Sequence, residues 1–339
     1  MLAFFRSVKL GFDVNATRHE SAPLMERHMQ PNSSRLMSFG TRGLCPFVAI
    51  VCAFLFTAQM ATAQATKGPE VEEKGLLTED NFELKITYFK STMKKNAPVA
   101  ILLHGGKKGN RRNWTGSKGI ASYLQEKGGF AVVAVDLRGH GDSVLPKRSE
   151  LRKNDYQNMV LYDMQAVKEF LLEEHQKGNL NMNKLGIVAC DFSTSVALAF
   201  TEIDWEREPY DDSTTPEQRT PRGQDVQALV LISPELSTPG LAATKSAAVI
   251  RGRDLPVMIG TSEKNAHDLS AAKKLFDALV AKKKKDDKVS LKRYPEDYRG
   301  MDLVLQDVQT QHDIVDFLDK YVKGFESPWR DRSSRLERE

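Results

Sequence analysis

The feature that most constrains this chain is a regular alternation. Short apolar runs rich in β-branched residues lie at 82–89, 98–105, 130–137, 184–190, 226–233, 255–260 and 289–294, with segments of helical character near 114–127, 155–177, 194–204, 267–282 and 306–323 between them. Strands that alternate with helices predict βαβ units. The AILL (100–103) and AVVAV (131–135) runs are apolar at every position, as strands covered on both faces must be. The expected fold is therefore α/β: a doubly wound, mostly parallel sheet flanked by helices.

The ends of the chain read differently. The segment LCPFVAIVCAFLFTA (44–58) is uncharged, follows Arg42, and is succeeded by small residues at 61–65. That is the pattern of a secretory signal peptide, with cleavage expected near Ala63 or Ala65. The run is shorter than the roughly 20 residues of a bilayer-spanning helix, so export to the periplasm or the extracellular space is expected, with no membrane span after cleavage. An uncleaved anchor is the alternative. Residues 1–36 are polar and unpatterned, and translation from Met1 or from Met37 stays open. The predicted organisation is a leader (1–65), a polar linker (66–79), an α/β domain (80–324) and a charged, disordered tail (325–339). Within the domain, the polar insert at 205–224 reads as a surface excursion and the lysine-rich run at 281–288 as the solvated end of a helix.

Charge excludes one function class. The 339 residues carry 49 Lys and Arg against 45 Asp and Glu; six bases and three acids (Asp13, Glu20, Glu26) precede residue 66, leaving 43 against 42. A phosphate-tracking surface needs a basic excess, so no nucleic-acid partner is expected. Of three cysteines, Cys45 and Cys52 fall in the leader, which leaves Cys190 without a bridging partner. Cysteines and histidines nowhere recur at zinc-binding spacing, and no nucleotide motif is present. No cofactor or metal is expected, and no feature specifies an oligomeric state.

Three segments carry a resemblance: LLHGG with the KKGNRRNW that follows it (102–114), VVAVDLRGHGDS (132–143) and LGIVACDFSTSVALAF (185–200). In this order they resemble the α/β-hydrolase superfamily, in its esterase, lipase and peptidase branches, over about residues 80–324. Only about twenty residues join the 226–233 run to the 255–260 run, which argues against a large cap domain. The resemblance implies that the backbone N–H groups of Gly106 and Phe192 form an oxyanion hole. It also implies that His104 and His140 brace loops rather than act as bases.

The same resemblance places the chemistry and exposes its difficulty. The nucleophile of the G-x-S-x-G elbow falls on Asp191, with Ala189 and Ser193 in the glycine places. The acid falls on Asn265, with Glu263 and Asp268 close enough to substitute. The histidine falls on Arg299, just before Gly300, and a guanidinium cannot act as a general base near neutral pH. With all three triad positions substituted, the expected protein is catalytically impaired or non-catalytic, a pseudoenzyme that binds a small molecule or peptide in the former cleft. The alternative is an active hydrolase of an ester, amide or related bond. Its nucleophile would be Asp191, as in branches that form an aspartyl ester, or Ser193 in an elbow slipped by two residues. His267 reads either as a residue facing the cleft or as a surface residue at a helix start. Cys190 reads as a buried thiol, and His312 as part of a packing helix. Asp191 and Arg299 are expected to pair across the old active site.

Overall fold

The computed structural model describes residues 70–337 except 107, 147, 149 and 281–287; the leader with its cleavage site and the lysine run at 281–287 lie outside the described residues. The apolar runs become strands of one sheet: β1 (Val71–Leu77), β2 (Glu83–Phe89), β3 (Val99–Leu103), β4 (Ala131–Asp136), β5 (Leu185–Cys190), β6 (Val226–Ile232), β7 (Val257–Ser262) and β8 (Val289–Tyr294). Their order is β1-β2-β4-β3-β5-β6-β7-β8. β2 runs antiparallel to both β1 and β4, and every other pairing is parallel.

The helices in chain order are α1 (Arg112–Thr115), α2 (Ala121–Glu126), α3 (Lys153–Asn158), α4 (Met164–Gln176), α5 (Ser193–Glu206), α6 (Ala243–Arg251), α7 (Ala266–Leu279), α8 (Gly300–Gln306) and α9 (Val308–Leu318). A π-helical turn, Met159–Asp163, joins α3 to α4. The pleat sends successive side chains to opposite faces, so β3 feeds two cores. Val99, Ile101 and Leu103 pack with residues of α4 to α7, whereas Ala100 and Leu102 pack with residues of α2, α8 and α9. Each such buried Ile or Leu contributes about 2 kcal/mol by removal from water. No helix among the described residues is long and apolar enough to cross a membrane.

Two expectations need correction. The linker predicted at 66–79 contains β1, an edge strand whose residues are at most half-buried. Its charged VEEKGLL sequence hides the strand, which is drawn into the sheet by register with β2 through a turn at Thr78–Phe82. The predicted disordered tail is anchored instead. Trp329 stacks on His175 with centroids 5.0 Å apart, and Arg332, itself buried, pairs with buried Asp225. Between β6 and β7 the connection holds the nine-residue α6, a helix that sequence reading passes over, and nothing larger. The C-terminal ends of β3, β5, β6 and β7 open onto the same edge of the sheet, and the site lies there.

Candidate functional site

Asp191 occupies the sharp turn between β5 and α5 with φ +50°, a left-handed conformation that aspartate tolerates better than most residues. The turn is tied on both sides: Asp191 N–H donates to Ile232 O at 3.0 Å, and Asp191 O accepts from Thr194 N–H at 3.2 Å. Its carboxylate lies between two glycines. A Cβ on Gly105 or on Gly300 would collide with Oδ2, and Gly300 itself has φ +53°. These glycines are there for the close approach of an acidic side chain to backbone.

Ser193 does not face the cleft. Its hydroxyl donates to Cys190 O at 2.8 Å and accepts from Cys190 N–H at 3.1 Å, so it closes the elbow from beneath, and the slipped-elbow alternative loses its nucleophile. Cys190 is fully buried; burial, and then the charge of Asp191, push its thiol well above the ordinary range.

Arg299 precedes α8 and gathers the acids of the site. Its Nε donates to Asp268 Oδ2 at 3.1 Å and its Nη2 to Glu235 Oε1 at 3.5 Å. Nη2 also lies 3.2 Å from Asp191 Oδ1, but its N–H bonds are not aimed there, so this contact is an ion pair without an aligned hydrogen bond. Burial opposes the guanidinium charge, yet Asp191, Asp268 and Glu235 outweigh it and hold Arg299 above its ordinary value. For Asp191 the balance is reversed. Burial, aided by Glu235, Asp268 and Asp302, overcomes the attraction of Arg299 and pushes its carboxyl up to about 7.

One sequence assignment moves. Asn265 is not turned to Arg299: its side chain accepts from Asp268 N–H at 3.0 Å and caps α7. That cap sets Asp268 in the first helical turn, buried and against Arg299, in the place assigned to Asn265. His267 points to solvent, with its side chain 87% exposed, so it belongs to the surface of α7. Glu263 is exposed as well. Sequence reading missed Glu235 and Ser233. Both follow β6, and the Ser233 Oγ accepts from Gly300 N–H at 2.8 Å, fixing the loop that carries Arg299. An acid just past the end of a parallel strand was the available signal.

The two residues expected to supply oxyanion donors, Gly106 and Phe192, flank Asp191. Gly106 has φ +69°, and the N–H of Phe192 has no protein acceptor among the described residues. The Phe192 ring stacks on His140 with centroids 5.0 Å apart, and His140 lies 4.6 Å from His104. His104 Nε2 accepts from Leu137 N–H at 3.3 Å, and the His140 ring lies 3.2 Å from Arg138 O. Burial holds both imidazoles below their ordinary values, His104 far below, in keeping with parts of a loop brace. The DLRGHGDS segment is likewise braced: Arg138 binds buried Asp163 and also Asp80, and Asp136 accepts from the N–H groups of Arg111 and Asp142.

A family model for the α/β-hydrolase fold matches residues 98–183. Among solved structures the chain is similar to carboxyl esterase 2 of Tuber melanosporum, at 14% identity over 84% of this chain and 100% of that one, with a TM-score of 0.52. It is also similar to an esterase of Pyrococcus furiosus, at 14% identity over 75% and 91% of the two chains and a TM-score of 0.51. A fungal esterase of Rhizomucor miehei aligns at 17% identity over 76% and 86%, with a TM-score of 0.50. No curated protein matches the chain in sequence. Likeness at these identities is a likeness of fold, and together with the family match over residues 98–183 and the strand order it means that this chain has the α/β-hydrolase fold.

Proposed function

We propose that this is an exported α/β-hydrolase-fold protein that has lost hydrolytic competence and acts by binding a small molecule or peptide at the former active-site cleft. The observation that carries the reading is the pairing of Arg299. It stands where a hydrolase of this fold needs a proton acceptor, and three carboxylates, Asp191, Glu235 and Asp268, keep it charged. A guanidinium so held neither takes a proton from a nucleophile nor activates water. The export half of the reading rests on the apolar run at 44–58 and the small residues after it.

One observation favours the active alternative. The strained elbow at Asp191 is retained, with the Phe192 N–H beside it unengaged, so if the Asp191 carboxylate displaced a leaving group from an alkyl carbon, the oxyanion formed when water opened the resulting ester would meet a donor. Turnover by the purified mature protein of chromogenic short-chain acyl esters, and of a haloalkane and an epoxide whose alkyl carbon a carboxylate can attack, decides between the two. Rates equal to those of Asp191→Asn support loss of catalysis, whereas turnover abolished by Asp191→Asn makes the protein an enzyme. N-terminal sequencing of secreted material tests export, with a first residue near 64–66 expected.

A further inference from the structure

At the opposite edge of the sheet lies a cavity that the elbow chemistry does not use. It occupies about 360 Å³ and is lined by the residues just before β5 and β6, by the 205–224 insert and by the C-terminal segment. The six residues of β5 separate its rim from Asp191, about 20 Å at ~3.3 Å per residue. Its composition is one-sided: Arg207, Arg219, Arg222, Arg330 and Arg332 line it, and no acidic residue does.

Two of these arginines are committed. Arg332 is buried against Asp225, with Nη2 3.1 Å from Oδ2, and Arg219 pairs with Asp211 at 2.7 Å. The other three have no carboxylate partner among the described residues. Arg207 donates only to the neutral amide of Gln165, Arg222 lies over the Tyr210 ring at 4.9 Å, and the exposed Arg330 side chain makes no bond among the described residues. Trp205 forms part of the wall, its Nε1–H already donated to Val226 O at 2.9 Å, so it offers the cavity an aromatic surface. Three arginines without a carboxylate partner, lining one concave site that also has an aromatic wall, match an oxyanion carried on a small organic body.

We propose that this cavity binds a small organic anion, its phosphate or carboxylate oxygens held by Arg207, Arg222 and Arg330 and its body set against Trp205. The site is independent of the fate of the elbow. It gives a role to the 205–224 insert and to the C-terminal segment, which together build its walls.

The test is isothermal titration calorimetry of the purified mature protein with inorganic phosphate, phenyl phosphate and citrate, against sodium chloride at matched ionic strength. Tryptophan fluorescence would follow the same titrations. Saturable binding is expected for at least one probe, weakened at least tenfold in Arg222→Gln/Arg330→Gln with an unchanged melting temperature. Arg330→Gln alone, which breaks no internal side-chain contact, should weaken it severalfold and serves if the double variant does not fold. Binding of the phosphates alone identifies a phosphoryl ligand, and binding of citrate alone a carboxylate. The proposal is overturned if no probe binds beyond the chloride control, or if the folded variants bind as the wild type does.

Discussion

Asp268, buried in the first turn of α7, accepts a hydrogen bond from Arg299 Nε at 3.1 Å. In a Ser-His-Asp site a carboxylate in this relation orients an imidazole and stabilises its cation. Here the cation is permanent. Asp268 and Asp191 flank one guanidinium, which offers no proton acceptor between them. The site that results is a charge cluster, with one base among three carboxylates in contact.

The relation can be run backwards. Replacing Arg299 by histidine puts an imidazole within reach of Asp268, and replacing Asp191 by serine puts a hydroxyl at the elbow. The variant Asp191→Ser/Arg299→His is therefore expected to hydrolyse short-chain acyl esters about a hundredfold faster than Asp191→Ser alone, the scale of a positioned general base. The check is a comparison of initial rates on p-nitrophenyl acetate. A folded double variant as inert as the single one would show that Asp268 cannot serve the imidazole.

The titration of Asp191 makes stability depend on pH. Its carboxyl sits at about 7 in the fold, against an ordinary 3.8, so the folded state holds this proton more tightly than the unfolded chain does. The contribution is complete below about pH 4 and is lost as pH rises through about 7; above that, an ionised and buried Asp191 costs up to about 4 kcal/mol. Asp191→Asn escapes this cost. Its melting temperature should exceed that of the wild type at pH 8 and approach it at pH 5. A gap that widens on acidification would contradict the assignment.

Much of this fold is legible in sequence because strands buried on both faces leave unbroken apolar runs, as β3, β4 and β5 do. β1 leaves no such run. It lies at the sheet edge, exposes Val71, Glu73 and Leu77, and owes its place to its pairing with β2. The AATKSAAV segment of α6 offers alanines where a strong apolar stripe would announce a helix. At the site, Asp191 and Arg299 are readable from motifs at fixed places on the sheet. The acid is not, because spacing after β7 does not say which polar residue caps the helix and which faces the cleft: Asn265 caps, and Asp268 faces Arg299. The tail misleads for another reason. Its arginines look solvated until the burial of Asp225 supplies a partner.

The two glycines over the elbow should be energetically coupled to Asp191. Gly300→Ala adds a methyl that collides with the Asp191 carboxylate and a side chain at φ +53°. A loss of about 2–3 kcal/mol is expected, from left-handed strain and from overpacking. In an Asp191→Gly background only the strain remains, so the same substitution should cost about 1 kcal/mol. Urea denaturation of the four proteins gives the coupling directly. Equal costs in both backgrounds would mean that the carboxylate does not lie over Gly300.

The C-terminal segment is expected to be part of the folded unit. Arg332 is buried, binds both oxygens of Asp225, and donates to Pro221 O at 2.9 Å. Asp225 is also 2.9 Å from Lys168, which binds Asp204 in turn. Removing the guanidinium leaves Asp225 with one cation where it had two, inside the protein. Breaking a buried pair from one side typically costs 3–5 kcal/mol, and Lys168 offsets part of this, so Arg332→Ala should lose about 3 kcal/mol in urea denaturation. Truncation after Gly324 removes the Trp329 stack on His175 as well and should cost more, with Trp329→Ala falling between truncation and wild type. A truncated chain as stable as the full one would mean that this segment only rests on the domain and does not hold it together.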